Sequence, residues 1–190
     1  AVHSAKDLPA KLPDGLTLAA IGRRQDARDV QVNRWGLSLL ELPQRARLGT
    51  GSPRRAAQIK AVRADLRILP IRGNVGTRLD KVRGNDYDGV VLAAAGLVRL
   101  RREAEISEYL SPYVCTPDVG QGTLAVEARE DDSNTAEMLA GIDHEPTRVT
   151  LEAERSFLGV IGGGCKVPVA AYAQLEGNHL HVSAMAAVPD

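Results

Sequence analysis

The sequence predicts an α/β protein. Strand-like and helix-like segments alternate along its 190 residues, and three strand-to-helix junctions carry glycine and arginine together. A content of 44% hydrophobic but only 3% aromatic residues dictates an interior of Val, Leu, Ile and Ala. A chain of this length buries a real core and has room for one or two compact domains.

Leu16 to Ile21 reads as a strand. Residues 47–50 read as a shorter one that runs into Gly51-Ser52-Pro53. Ser52 is placed to cap a helix, and Pro53 falls at its first position, where a missing N–H costs nothing. That helix is predicted through about Val62. Arg54 and Arg55 lie in its first turn, where positive charge opposes the helix dipole. Free N–H groups, a capping hydroxyl and two arginines together define an anion site. The arrangement repeats with a strand over 66–71, the turn Arg72-Gly-Asn-Val-Gly-Thr-Arg78 capped at Asn74, and a helix over 77–82. It returns a third time, with a strand over 89–93 leading to Ala94-Ala95-Gly96 and then to Arg99, Arg101 and Arg102. In an open α/β sheet this edge is where ligands bind. Glu145-Pro146-Thr147 opens a helix to about Leu158, with Val149, Ala153 and Phe157 on one face. Strands over 167–174 and 179–185 then pair around Glu176-Gly177-Asn178, so that the last stretch reads as a separate small α/β unit.

Charge is unevenly spread. The formal net charge is zero, yet residues 23–102 hold 18 Lys and Arg against 7 Asp and Glu, and the remainder holds 6 against 17. Arginine supplies most of the cationic segment, and its planar fork suits bidentate capture of carboxylate or phosphate. Nucleic acid is the rival ligand, but scarce aromatics leave little to stack on bases, so a small polyanion fits better. No apolar run approaches the length that spans a bilayer. Two cysteines, Cys115 and Cys165, are too few for a disulfide framework and suit no zinc site, and the histidines stand at no metal-ligand spacing, so no metal is expected. A reducing, cytoplasmic setting follows, with a plastid left open because the chain starts at Ala1 and stops at Asp190 as though cut at both ends.

Two short segments carry candidate chemistry. Gly162-Gly163-Gly164-Cys165-Lys166 places a thiol on a glycine loop, where Lys166 favours the reactive thiolate. Locally it also reads as a helix-ending loop with a small buried residue. Asp7, in His3-Ser-Ala-Lys-Asp-Leu-Pro9, reads as a turn former or as a catalytic carboxylate. Without further residues the chain is equally well an anion-binding module that performs no chemistry.

Taken together, these pieces resemble the porphobilinogen deaminase (hydroxymethylbilane synthase) family. The motifs run in the family's order from His3-Ser-Ala-Lys-Asp7 through Gly49-Thr-Gly-Ser-Pro-Arg-Arg55, Arg72-Gly-Asn-Val-Gly-Thr-Arg78, Leu92-Ala-Ala-Ala-Gly-Leu97 with Arg99, and Val119-Gly-Gln-Gly122, to Gly163-Gly-Cys165. The resemblance implies two lobes like those of periplasmic binding proteins, the first incomplete, plus a small α+β C-terminal domain carrying the cofactor cysteine. Residues 1–22 and 123–141 are expected to be a remnant of domain 1, 28–116 domain 2, and 145–190 part of domain 3.

The implied reaction is that of a transferase of tetrapyrrole biosynthesis, joining four porphobilinogen molecules head to tail into hydroxymethylbilane with release of ammonia. Cys165 is implied to hold a dipyrromethane cofactor through a thioether. Lys6, Thr50, Ser52, Arg54, Arg55, Arg72, Gly73, Arg78 and Gly122 are implied to bind that cofactor, and Ser52, Arg72, Arg78 and Arg99 the substrate. Asp7 becomes the catalytic group, stabilising the cation left when ammonia departs. The full-length protein is expected to be a monomer with no nucleic acid or membrane partner, and the chain as given an inactive fragment.

Overall fold

Strands of two to eight residues assemble three sheets in the computed structural model, which describes residues 1–161 and 168–188. The first sheet is antiparallel and joins β1 (Val2–Ser4), β8 (Leu124–Arg129) and β2 (Leu16–Ile21), in that order. The second has five strands, β3 (Asp29–Asn33), β4 (Arg47–Gly49), β5 (Arg67–Leu69), β6 (Gly89–Ala93) and β7 (Glu108–Tyr109), in the order β5-β4-β6-β3-β7. Here β4 lies parallel to β5 and β6, whereas β3 is antiparallel to β6 and β7. The third is the hairpin of β9 (Val169–Glu176) and β10 (His179–Ala186), turned by Gly177 at φ 58°.

Helices α1 (Pro53–Val62), α2 (Val75–Arg83) and α3 (Ala94–Arg99) follow β4, β5 and β6. The first two start where the capping residues predict. Ser52 accepts from Arg55 N and Asn74 accepts from Thr77 N, each closing one of the donors that a helix start leaves unmatched. Strand β6 shows why the second sheet can be covered on both sides: Val90 and Leu92 enter one buried cluster with Ile71, Leu79 and Leu97, while Val91 enters another with Leu48, Ile59 and Leu66. Successive side chains on a strand point to opposite faces. Helix α4 (Ser133–Leu139), capped by Asp132, and the long α5 (Glu145–Ile161) complete the chain, α5 packing on β9.

Two stretches of chain, 22–28 and 116–123, cross between the first and second sheets side by side. Gly22 N donates to Leu124 O, and Gln25 N donates to Gly122 O at 3.1 Å. Their approach is so close that a Cβ on Gly122, whose φ is +89°, would meet Gln25 O at 2.6 Å. Glycine is required there by the neighbouring backbone.

The α5 face differs from expectation. Val149 is 38% exposed, and the buried residues are Thr147, Thr150, Leu151 and Glu154. The reason is Glu154, which is fully buried because four donors meet it: Arg24 Nη1 at 2.5 Å and Nη2 at 3.3 Å, Gly120 N at 2.7 Å and Ala173 N at 2.8 Å. One carboxylate thus ties α5 and β9 to both crossing stretches. Burial pushes the Glu154 carboxyl up in pKa, against the charge of Arg24 and these hydrogen bonds. Replacement by alanine takes the acceptor from both Nη atoms of Arg24 and from two backbone N–H groups. Glu154→Ala is therefore expected to cost about 3–5 kcal/mol in equilibrium urea unfolding, and a loss below about 1 kcal/mol would show that the contacts are not made.

Candidate functional site

The helix-bearing edge of the second sheet faces the turn after β1 across a cleft of about 310 Å³. Residues 5–7 close that turn as a 3-10 helix, which places Lys6 and Asp7 on the wall. Ser52, Arg54 and Arg55 arrive from the start of α1, and Arg78 from α2. Leu158 of α5 and Val169 of β9 contribute the opposite wall. A smaller extension of about 130 Å³ shares Lys6, Arg55 and Arg78 and adds Arg99, Gln121 and Gly122. The cleft therefore gathers residues more than a hundred positions apart.

Beneath it lies Asp29, the first residue of β3, with no solvent exposure. Its Oδ2 accepts from Arg54 Nη1 at 2.7 Å and from Cys115 Sγ at 3.2 Å. Its Oδ1 accepts from Arg55 Nε at 2.9 Å and from Gln121 Nε2 at 2.8 Å. Burial alone would push this carboxyl up, but the charges of Arg55 and Arg54 and their hydrogen bonds hold it well below the usual carboxylate range. Arg54 and Arg55 are only 3% and 6% exposed. Arg55 also donates to Val91 O and Gln121 Oε1, so its fork is occupied from within. Arg54 differs: Nη1 serves Asp29 and Thr116 O, while buried Nε and Nη2 have no hydrogen-bond partner among the described residues. The carboxylate of Asp118 stands 3.9 Å from that Nε.

One carboxylate against two guanidinia leaves excess positive charge. It is felt at Lys6, whose amine is held below its ordinary pKa first by burial and then by the charge of Arg55. Arg78 is lowered for the same two reasons, and its Nε donates to Gly73 O at 2.7 Å. Gly73, at φ +117°, shapes the turn that holds Arg78 and lines neither cavity. Arg72 is exposed and lines neither cavity; its carbonyl accepts from Lys81 Nζ. Thr50 is buried behind the turn, where Oγ1 accepts from Ser52 N at 3.1 Å. Arg99 reaches the smaller extension with Nη2 on Gly122 O at 3.1 Å. Asp7 is exposed at the cleft wall. The loop 162–167, with Cys165 and Lys166, lies outside the described residues.

The paired arginines at the start of α1 are both held from below by Asp29, which leaves the Nε and Nη2 edge of Arg54 without a hydrogen-bond partner among the described residues. Gly122 is glycine because Gln25 O crosses it, although it also borders the smaller cavity. Asp29 itself was missed by sequence reasoning. Its only signal was an aspartate opening the alternating run Asp-Val-Gln-Val-Asn, whose polar positions resemble a solvated face but are all buried.

A mixed α/β fold thus gathers Arg54, Arg55, Arg78, Lys6, Asp7 and Asp118 around one cleft over a buried acid. Residues 1–137 match the family model described as "Porphobilinogen deaminase, dipyromethane cofactor binding domain", and residues 149–190 the one described as "Porphobilinogen deaminase, C-terminal domain". The chain is 52% identical over 190 residues to a curated porphobilinogen deaminase of Roseiflexus sp. (strain RS-1), covering 100% of this chain and 63% of the relative. It is 48% identical to the protein of the same name from Syntrophomonas wolfei subsp. wolfei and 50% identical to that from Alkaliphilus metalliredigens, covering all of this chain and 62% and 60% of those relatives. The chain belongs to the porphobilinogen deaminase family, and it spans about three fifths of the length of these relatives. No described helix is long and apolar enough to cross a membrane.

The second cysteine sits in a different environment from a reactive one. Burial first, and then the adjacent charge of Asp29, push the Cys115 thiol up to about 12. At pH 8 it remains protonated and shielded. Iodoacetamide is expected to leave Cys115 unlabelled in the folded chain and to label it fully in urea; rapid labelling of the folded chain at pH 8 would contradict this burial.

Proposed function

We propose that this chain forms the ligand-binding and cofactor-carrying part of an enzyme that joins four porphobilinogen molecules head to tail into hydroxymethylbilane, releasing ammonia at each step. The observation that carries the reading is the convergence of Lys6, Asp7, Ser52 and Arg78 on one cleft over Arg54, whose Nε and Nη2 have no hydrogen-bond partner among the described residues. A ligand whose every pyrrole ring bears an acetate and a propionate supplies the carboxylates that such donors require. The cleft volume also suits a small organic ligand.

The residues fit a dipyrromethane, which when bound supplies the primer ring to which the first substrate is joined. Cys165 is its attachment point in this reading. Cys165 is four residue steps from Val169 on the cleft wall, a reach of at most about 14 Å. Lys6, Arg54, Arg78 and Arg99 hold ligand carboxylates, and Ser52 offers a hydroxyl. Asp7, exposed at the wall, faces the pyrrole N–H groups and stabilises the positive charge that develops on a substrate ring as ammonia leaves. Arg72 acts at a distance, through the turn that sets Arg78, and Thr50 through its bond to Ser52 N. We assign residues 1–22 and 123–141 to one domain, 28–116 to a second and 145–190 to a third, a division supported by the residues that build each sheet. The protein works as a cytoplasmic monomer.

A binding module that merely holds a dicarboxylate would use the same arginines but needs no covalent group. Intact mass of the protein, at the full length of its relatives, separates the two. A pyrrole adduct on Cys165 that vanishes in Cys165→Ser is expected, because a hydroxyl is a far weaker nucleophile than a thiolate; an adduct on Cys115, or none, would sink the assignment. Asp7→Ala should fold and load the cofactor, yet turn over roughly a hundredfold more slowly. Near-normal turnover in that variant would remove Asp7 from catalysis.

A further inference from the structure

We propose that Asp29 is a positioning residue for this site: from beneath the cleft it fixes the rotation of the Arg54 guanidinium so that the Nε and Nη2 edge is left for one ligand carboxylate. The inference rests on the function proposed above and deepens it. Arg54 Nη1 has two hydrogens, and both are taken, one by Asp29 Oδ2 at 2.7 Å and one by Thr116 O. The remaining Nε and Nη2 donors form the side-on fork that matches a carboxylate in two parallel hydrogen bonds. Both atoms are buried and have no hydrogen-bond partner among the described residues, an unfavourable state for a donor. That cost is offset when an acceptor arrives.

Asp29 also sets the charge. Arg54, Arg55, Arg78 and Lys6 in and under the cleft face the carboxylates of Asp29, Asp118 and Asp7, an excess of one cation, enough for one anionic group. The acid is itself held from three directions. Its strand fixes the backbone, Gln121 Nε2 reaches it from the crossing stretch while also donating to Ala27 O, and Cys115 Sγ approaches Oδ2. The nearest competing acid, Asp118, stands 3.9 Å from Arg54 Nε, beyond hydrogen-bond distance. A carboxylate that served only to bury two arginines would leave no donors over. The leftover edge is what distinguishes this arrangement from a structural ion triplet.

The test uses the protein at the full length of its relatives, with succinate as a simple carboxylate probe and porphobilinogen as substrate. Asp29→Asn keeps the side-chain shape but removes the charge and turns an amide N–H toward a guanidinium. Succinate affinity measured by calorimetry is expected to fall about tenfold or more, the scale of a lost charge-assisted hydrogen bond, and KM for porphobilinogen to rise alike while kcat stays within about threefold. Asp29→Glu, which restores the charge one methylene away, should recover part of the affinity and remain at least about threefold weaker than the parent. Asp65→Asn, at an exposed pair with Arg63, serves as the unaffected control. If Asp29→Asn does not fold, Asp29→Glu decides by the same criterion. Either variant folding with parental succinate affinity and KM would overturn the proposal, and so would failure of both to fold, which would make Asp29 a core residue only. Succinate binding that depends on Asp29 in a protein inert toward porphobilinogen would instead overturn the function proposed above and leave this inference standing.

Discussion

A carboxylate with no solvent exposure, held between two guanidinia, is the constraint on which the cleft depends. Taking Asp29, Arg54 and Arg55 out of water costs several kcal/mol for each ion unless every one finds partners. The fold meets that demand for Asp29 and Arg55 completely and for Arg54 only in part. Placement follows from this. The first turn of α1 is drawn down onto β3, the crossing stretch is pulled in through Gln121, and Cys115 is sealed beneath them as a protonated thiol. Charge makes other arrangements of the site floor expensive.

A second buried carboxylate governs the walls. Glu154 meets Arg24 on one crossing stretch, Gly120 N on the other and Ala173 N on β9. The wall built by α5 and β9 and the wall built after β1 are therefore referred to the same short pair of crossing segments. Those segments approach within a distance that only glycine at 122 permits. The two acids act at different places, Asp29 under Arg54 and Arg55 and Glu154 between α5, β9 and the crossing stretches.

Much of the local structure was legible without a fold. Ser52 with Pro53, and Asn74 ahead of Val75, mark helix starts because their side chains close backbone donors within three residues. The β9–β10 turn at Gly177 is equally local. Strand β3 was not legible: Asp29 and Gln31 are buried polar residues whose partners Arg54 and Glu108 come from elsewhere in the chain, and Asn33 is buried with them, bonded to Leu37 O. The face of α5 was misjudged for the same reason, since Glu154 rather than Val149 turns inward. Apolar periodicity cannot anticipate an acid that is buried because an arginine more than a hundred residues away comes to meet it.

By itself the sequence determined the α/β alternation, the capped helix starts, the concentration of arginine in residues 23–102 and the family to which the motifs point. These rest on interactions within a few residues or on the plain order of motifs. The tertiary structure alone decided which arginines are committed and which remain available. Arg54 and Arg55 are neighbours of identical chemistry, yet the acceptors brought to them by β3, β6 and the crossing stretch occupy one fork fully and leave the other half open. Charge on a residue is a local property, whereas its availability depends on every acceptor the fold brings within about 3 Å.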